Sequence, residues 1–514
     1  MTLRLISFLI CFFCLQYVWS QKNQSSPNII IFMVDDMGWQ DCSLPFTNEK
    51  TALNKKYHTP NMEKMAKAGM MLTNAYATPV CTPSRVSLMT GMNSAHHGVT
   101  NWTSPNNNTP TDAKDSQFVA ANWNYNGLST VPSISKTYYA TPLPKILKDA
   151  GYFTLHVGKA HWGSAGTTGA NPYNMGFVVN ISGHAAGHPQ SYLGTENYGN
   201  LPGKTSMQAV PDLEAYYGKD TFLTEALTLE VIKALEYPIK NKQPFFLNFA
   251  QYAIHTPIQG DKRFVQKYLD AGLPPTEANY ASLIEGMDKS LGDIINFLDE
   301  KGVAKNTVIL FMSDNGGLSL AKDLGGSRDG VSHTQNIPLR AGKGSVYEGG
   351  IRIPMIVKWP AMIKPSSKTD TPVIVEDLFP TLLEIAGIKN YNCVQKPDGI
   401  SFLPLLLNHK VSVNDRLFLW HYPNKWISND GPGINYFSAA RQGDWKIVYN
   451  LRNGNCELYN LKTDIGEQEN LSAKYPEKAK ELLELLTQKL ITWKAPMPIL
   501  KSSLSYNSND QNKK

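Results

Sequence analysis

The sequence predicts an α/β protein with a large, mostly parallel central sheet flanked by helices. A smaller C-terminal α+β unit, with a short antiparallel sheet and a helix, is predicted to follow. Apolar runs of strand length recur along most of the chain. These runs are continuous rather than alternating, which is typical of strands covered on both faces. Helical patterns separate the runs, and such alternation produces parallel sheets with helices on both sides.

Six apolar runs are the predicted strands of the central sheet: Asn28–Val34, Met71–Ala77, Phe153–Gly158, Pro244–Gln251, Thr307–Ser313 and Pro354–Trp359. Five segments with helical patterns lie between or after them: Pro60–Ala68, Leu143–Ala150, Thr221–Leu235, Thr276–Glu300 and Val375–Ala386. A glycine directly follows three of these helices and is a common helix terminator. The stretch 101–136 is rich in Asn, Thr, Ser and Pro. We predict a long loop there that is functional or inserted.

After Leu407 the pattern changes to short strands joined by turns of Asn, Gly and Asp. An amphipathic helix, Pro476–Lys494, follows them. We therefore predict a main α/β domain over residues 21–410, an α+β subdomain over 411–500 and a polar tail over 501–514. The predicted strands of the subdomain are Leu417–His421, Ser438–Gln442, Trp445–Asn450 and Cys456–Leu461.

The first 20 residues form a separate segment, in which Arg4 precedes the uncharged apolar run Leu5–Val18. Small side chains at Val18 and Ser20 fit a cleavage site before Gln21, so we predict a secretory signal peptide of bacterial type. The alternative is a membrane anchor, but the run is short against the roughly 20 residues that a span needs. The sequence thus predicts an exported protein, periplasmic or extracellular, with no stable membrane insertion after cleavage.

The composition excludes two broad classes of protein. With 42% hydrophobic and 18% charged residues among 514, the chain is not intrinsically disordered. Its net charge of +6 is spread along the sequence, whereas a dedicated nucleic-acid binder clusters its basic residues. Four cysteines follow the signal peptide, too few for a disulfide scaffold. A Cys393–Cys456 pair remains open.

Polar side chains follow five of the predicted strands. Ligands of parallel sheets bind beyond the carboxyl ends of the strands, so these side chains are expected to converge at one edge. The acids and the amide offer only oxygen ligands, which favour Ca²⁺ or Mg²⁺ over Zn²⁺. The alternative is helix capping and turn formation. The side chains are those of Asp35, Asp36, Cys81, Lys159, His161, His255, Asp314 and Asn315.

Cys81 lies in the segment Pro79–Arg85. Pro83 suits the first turn of a helix, so we expect Cys81 just before a helix N-terminus, where the helix dipole favours negative charge. Arg85 follows four residues later and shares its helix face. The alternative for a single cysteine is a buried small hydrophobe.

Cys81-Thr82-Pro83-Ser84-Arg85, with Thr90-Gly91, resembles the signature of the type I sulfatases of the alkaline phosphatase superfamily. A second signature matches Gly151–Thr154 and Gly158–His161, except that Ala160 replaces a bulky residue. The resemblance runs from about Pro27 to Leu471 in the family's order. Its other motifs are Asp35-Asp36, His255-Thr256-Pro257, Asp314-Asn315-Gly316, Leu339–Lys343, Glu348–Pro354, Trp445-Lys446 and Glu457–Leu461.

The resemblance implies an alkaline phosphatase-like fold and a formylglycine made from Cys81 by a maturation enzyme. One hydroxyl of the hydrated aldehyde attacks sulfur and releases the alcohol; the other then loses its proton, which expels sulfate and regenerates the aldehyde. The resemblance also implies that Arg85 and Lys159 steady the hydrated aldehyde. It implies that His161 is the base for the elimination of sulfate. His255 and Lys343 contact the sulfate and the bridging oxygen. The implied ligands of one Ca²⁺ are Asp35, Asp36, residue 81, Asp314 and Asn315.

The predicted substrate is a sulfated carbohydrate, because export, a loop-rich rim and mild basicity favour it over a small aryl sulfate. Formylglycine-dependent hydrolysis of phosphonates or phosphodiesters remains an alternative. A carbohydrate-binding protein without activity is disfavoured, since no catalytic group is missing. Candidates for the leaving-group pocket are Trp123, Tyr125, His184, His188, Arg328 and His333.

Overall fold

The computed structural model describes residues 26–318 and 336–503. The predicted signal peptide, Arg328, His333 and most of the predicted tail lie outside these residues. The strands of the described chain are β1 Asn28–Val34, β2 Met70–Tyr76, β3 Leu128–Ser129, β4 Tyr138–Tyr139, β5 Phe153–Gly158, β6 Val179–Ile181, β7 Phe245–Ala250, β8 Thr307–Ser313, β9 Arg352–Lys358, β10 Ser367–Thr369, β11 Val373–Ile374, β12 Leu417–Tyr422, β13 Phe437–Gln442, β14 Trp445–Asn450 and β15 Cys456–Asn460.

Nine of these strands form the central sheet, in the order β10-β2-β9-β8-β1-β7-β5-β6, with β11 also paired to β2. All neighbours in the described sheet pair in parallel except β9, which is antiparallel to both β2 and β8. The predicted mostly parallel sheet is therefore confirmed. Each of the six predicted strands is present, with ends shifted by at most two residues.

Helices pack on both faces of this sheet. The described helices are α1 Ala52–Lys56, α2 Pro60–Ala68, α3 Cys81–Thr90, α4 Ser94–His97, α5 Leu143–Asp149, α6 Leu223–Lys240, α7 Val265–Asp270, α8 Pro275–Glu300, α9 Glu348–Ile351, α10 Leu378–Ile385, α11 Leu403–Leu406 and α12 Pro476–Thr492. The predicted helix Val375–Ala386 is shorter than expected, because Val375–Asp377 forms a 3-10 turn ahead of α10.

Strand β1 shows why the predicted strands are continuously apolar. Ile29 and Ile31 pack into the core that α3 and α10 cover, whereas Ile30 and Phe32 pack into the core that α6 and α8 cover. All four side chains are fully buried. Successive residues of a strand point to opposite faces, so a strand with helices on both sides must be apolar at every position.

The C-terminal residues form a separate antiparallel sheet in the order β12-β13-β14-β15, and α12 packs on it through Leu482, Leu486 and Leu490. Buried polar groups connect this sheet to the central one. The Nζ atom of Lys446 lies 2.9 Å from Oε1 of Glu348 and 2.8 Å from Oε1 of Glu467. The ion pair with Glu348 holds the C-terminal sheet against helix α9, which directly precedes β9.

The four cysteines of the described chain, Cys42, Cys81, Cys393 and Cys456, are all free, so the open Cys393–Cys456 pair is not formed. Within the same residues, no helix combines the length and the apolar character that crossing a bilayer would require.

Candidate active site

Four oxygen-bearing side chains meet where β1 and β8 end. These strands are parallel neighbours and pair Val34 with Ser313, so the residues that follow them leave the sheet side by side. The Asp36 N–H donates to Oδ1 of Asp314 at 3.2 Å, and the Asn315 amide donates to Oδ1 of Asp36 at 2.9 Å. Asp36 has a φ of 64°, a left-handed conformation that Asp tolerates better than most residues. The turn after β1 thus aims both adjacent acids at this edge of the sheet.

Three buried oxygens of this group accept no hydrogen bond within the described residues: Oδ1 of Asp35, Oδ2 of Asp36 and Oδ1 of Asn315. Unpartnered buried oxygens cost free energy unless a cation or another donor satisfies them. Burial raises the pKa of Asp35 well above its ordinary value, although the Lys159 ammonium opposes the shift. An all-oxygen donor set of this kind fits a hard divalent cation.

Basic side chains contact each of the three carboxylates. Lys159 Nζ lies 2.6 Å from Oδ2 of Asp35, and Arg85 Nη2 lies 2.8 Å from Oδ2 of Asp314. Lys343 Nζ lies 2.6 Å from Oδ1 of Asp36. Burial acts to raise the pKa of Asp36, but Lys343 and His255 outweigh it and hold this pKa well below its ordinary value. The edge therefore carries buried positive groups that can bind an anionic ester.

Cys81 is the first residue of α3, one position further into the helix than predicted, and every residue of α3 is buried. Its Sγ lies 3.4 Å from Nδ1 of His161. Burial raises the pKa of the thiol, although Lys159 and Lys343 act in the opposite direction. Because the thiolate is the reactive form, the unmodified side chain is a poor nucleophile here. One turn later, Arg85 donates from Nη1 to the Lys159 carbonyl at 2.8 Å.

The two predicted histidines differ in what their ring nitrogens contact. Nε2 of His161 lies 2.9 Å from the Thr103 carbonyl, which can only accept, so the ring proton belongs on Nε2 and the Nδ1 lone pair faces Cys81. Nε2 of His255 lies 3.5 Å from Oδ2 of Asp36, and its Nδ1 lies 3.0 Å from the Thr256 carbonyl. Burial lowers the pKa of both rings well below the ordinary value for histidine.

All ten predicted site residues lie in this one network of contacts and charges. Two of the candidates for the leaving-group pocket lie next to this network. The His184 carbonyl accepts from the His161 N–H at 3.2 Å, and the His188 ring packs on that of His255. Trp123 instead donates from Nε1 to Thr100 at 2.9 Å. Tyr125 is half-buried.

Three further residues in or beside the site were assigned no role from the sequence, although Thr256 lies in the motif His255-Thr256-Pro257. The carbonyl oxygens of Thr103 and Thr256 contact the two histidines, and a backbone carbonyl leaves no residue-type signal. Trp426 lies so close to Gly344, the neighbour of Lys343, that a side chain at Gly344 would collide with the indole. Thr103 falls in the stretch 101–136, which was predicted to be a functional or inserted loop, so a general signal for it was present in the sequence.

Fold and site together define an enzyme of the alkaline phosphatase-like class, with an acidic cluster suited to a metal ion and buried basic groups suited to an anionic ester. Residues 27–388 match the family model described as Sulfatase, and residues 342–495 match the one described as N-sulphoglucosamine sulphohydrolase, C-terminal. The chain therefore belongs to the sulfatase family, as its motifs predicted, and is a sulfuric ester hydrolase.

Known proteins resemble the chain over most of its length. A sulfatase of Formosa agariphila is 30% identical, over 91% of this chain and 88% of that protein. The N-acetylgalactosamine-6-sulfatase of Mus musculus is 30% identical, over 77% of this chain and 69% of that protein. Among solved structures, Ps i-CgsB has a TM-score of 0.70 and 26% identity over 91% of this chain and 93% of its own. Ps i-CgsB has also been solved in complex with k-i-k-neocarrahexaose.

Proposed function

We propose that this protein is an exported carbohydrate sulfatase that uses one Ca²⁺ ion and a formylglycine at position 81, which a maturation enzyme makes from Cys81. One observation carries the proposal. Residue 81 contacts His161, and the charges of buried Lys159, Lys343, Asp35 and Asp314 all act on it. The acids belong to an all-oxygen group in which three oxygens accept no hydrogen bond, and the lysines contact that group directly. A sulfate monoester needs this combination, because its hydrolysis requires a strong nucleophile together with neutralisation of negative charge.

The oxygen ligands form one half of the proposed site. Asp35, Asp36, Asp314 and Asn315, together with residue 81, would hold the ion. Bound Ca²⁺ would withdraw charge from a sulfate oxygen and acidify the attacking hydroxyl. The three unpartnered oxygens support this assignment, because each belongs to one of the proposed ligands.

The basic residues form the other half. We assign Arg85 and Lys159 to steadying the hydrated side chain of residue 81. His161 is the proposed base for sulfate release, since its Nδ1 lone pair faces residue 81. His255 and Lys343 both contact Asp36, and we assign them to the sulfate and the leaving oxygen. Lys343, or His255 in its doubly protonated form, can deliver a proton to the departing alcohol.

A sulfated carbohydrate is the substrate class that we propose. The names of the relatives support it, since one is an N-acetylgalactosamine-6-sulfatase and another has been solved in complex with k-i-k-neocarrahexaose. We further propose that residues 21–410 form the catalytic domain, that residues 411–500 form an accessory subdomain, and that residues 1–20 direct export and are removed.

A substrate panel tests this function. Protein produced together with a formylglycine-generating enzyme is assayed on sulfated mono- and disaccharides, 4-nitrophenyl sulfate, and matching phosphodiesters and phosphonate esters. We expect kcat/KM for at least one sulfated sugar to be about 100-fold or more above that for the phosphorus esters. A site whose polar groups fit a sulfate ester should discriminate strongly against other esters. Faster turnover of a phosphonate or phosphodiester would contradict the proposal, and turnover of aryl sulfates alone would contradict the carbohydrate assignment.

Calcium is expected to stabilise the folded protein. A ligand that binds only the native state contributes about 2.7 kcal/mol at 100 times its dissociation constant. We therefore expect the Tm to fall after dialysis against EGTA and to rise steadily with added Ca²⁺. Differential scanning fluorimetry measures this without any substrate, and Mg²⁺ at equal concentration is the control. A Tm that responds to neither EGTA nor Ca²⁺ would contradict the proposed ion.

A further inference from the structure

The segment 182–189, which follows β6, packs against both histidines of the site, His161 and His255. The His184 carbonyl accepts from the His161 N–H at 3.2 Å. A methyl group added at Gly187 would lie 2.5 Å from Cε1 of His161, so the backbone there packs directly on the imidazole. The next residue, His188, faces the other histidine. One short segment therefore contacts the two rings that we assign to proton transfer.

The contact between His188 and His255 is a ring stack. The two imidazole centroids are 5.6 Å apart and the ring planes differ by 6°. His188 is half-buried, and its Nδ1 lies 3.0 Å from the Pro189 carbonyl. A nearly parallel stack limits rotation of the His255 ring about its Cβ–Cγ bond, because rotation would push the ring edge into its neighbour.

Buried hydrogen bonds anchor this segment to the residues around His255. The Tyr252 hydroxyl donates to the Ser182 carbonyl at 2.8 Å, and the Ser182 N–H donates to Oδ2 of Asp212 at 2.9 Å. The Tyr192 hydroxyl lies 2.8 Å from the His255 carbonyl and 2.6 Å from that of Tyr252. Tyr192, Tyr252 and Ser182 are fully buried. The backbones that carry the two stacked rings are thus held to each other by buried hydrogen bonds.

We propose that His188 is a positioning residue, whose ring keeps Nε2 of His255 directed at Asp36 and the oxygen of the departing alcohol. This inference rests on the proposed function and assigns to that site a residue that the family motifs do not include. The polar contacts of His255 within the described residues are made at the ring edge: Nε2 faces Asp36 and Nδ1 faces Thr256. The stack with His188 restrains the plane of the ring, which edge contacts alone do not fix.

The dependence on the leaving group tests this role. A sugar alkoxide must be protonated as it departs, whereas 4-nitrophenolate leaves without a proton. Displacing a reacting group by about 1 Å can cost on the order of 100-fold in rate. We expect H188A to lower kcat for a sulfated sugar by about 10- to 100-fold, with KM changed less. On 4-nitrophenyl sulfate the expected loss is at most about threefold.

The variant H188F separates stacking from the chemistry of the ring nitrogens. Phenylalanine keeps a flat ring but has no nitrogen, so H188F should recover most of the activity that H188A loses. Equal losses on both substrates, an H188F as slow as H188A, or an H188A as fast as wild type would each overturn the proposal. A wild-type protein without activity on any sulfate ester would instead refute the proposed function, and this assignment with it.

Discussion

Replacement of Cys81 by alanine is expected to abolish sulfate ester hydrolysis, with kcat at least about 10⁴-fold lower. Alanine cannot become formylglycine, so the proposed nucleophile is lost. The fold should survive, because the substitution removes a single sulfur atom and with it the contact to Nδ1 of His161. Kinetics on the preferred sulfate ester and the Tm of both proteins measure the two effects.

The matched control is Cys393→Ala. Cys393 is half-buried and its Sγ contacts the Gln395 carbonyl, away from the carboxylates of the site. This variant should retain activity within about twofold, as is usual for substitutions remote from the chemistry. Residual activity of C81A above a few per cent of wild type would contradict the assignment of residue 81 as nucleophile.

Replacement of Asp36 by asparagine is expected to lower kcat/KM by roughly 10²- to 10³-fold, the usual cost of losing a charge-stabilising group. Oδ1 of Asp36 contacts Lys343, and its Oδ2, which accepts no hydrogen bond, lies 3.5 Å from Nε2 of His255. The variant should therefore bind Ca²⁺ more weakly and also disturb both basic groups. Asparagine adopts left-handed backbone readily, so the φ of 64° at this position adds no strain.

Two measurements check the Asp36 prediction: kcat/KM at saturating Ca²⁺, and the Ca²⁺ concentration that gives half of the rise in Tm. Asp370→Asn is the control, because Asp370 is an exposed acid that lies beyond β10. It should leave both values near those of wild type. If D36N needed no more Ca²⁺ than wild type for the same stabilisation, Asp36 would not be a ligand.

The bounds of the central strands could be predicted closely, because strands that are buried on both faces are rich in apolar residues along their whole length. β1, β5 and β8 have the predicted bounds. The interiors of β1 and β8 are unbroken apolar runs, whereas β5 also contains Thr154 and His156, both buried. That β9 runs antiparallel to its neighbours could not be predicted, because an apolar run looks the same whichever way the strand is oriented in the sheet. The helix α6 extends past its predicted end at Leu235 to Lys240 and includes Pro238 near its last turn. Proline favoured an earlier stop, and tertiary packing outweighed that preference.

Which residues lie at the candidate site could be predicted from the sequence, but how they are arranged could not. The strand-end rule places Asp35, Asp36, Asp314 and Asn315 at one edge, yet nothing in the sequence makes β1 and β8 neighbours. Their parallel pairing, across more than half of the chain, brings the two acidic segments together. The partners of the histidine rings are backbone carbonyls and a stacked ring, and these depend on loop paths that local sequence patterns do not encode.

The most direct test of the account is the chemical state of residue 81 in enzyme produced by its own host. Trypsin releases this residue in the peptide Ala68–Arg85, because Lys67 and Arg85 are consecutive cleavage sites. Mass spectrometry of that peptide from active protein should show the aldehyde or its hydrate in place of the thiol. An intact cysteine at residue 81 in fully active enzyme would contradict the formylglycine mechanism.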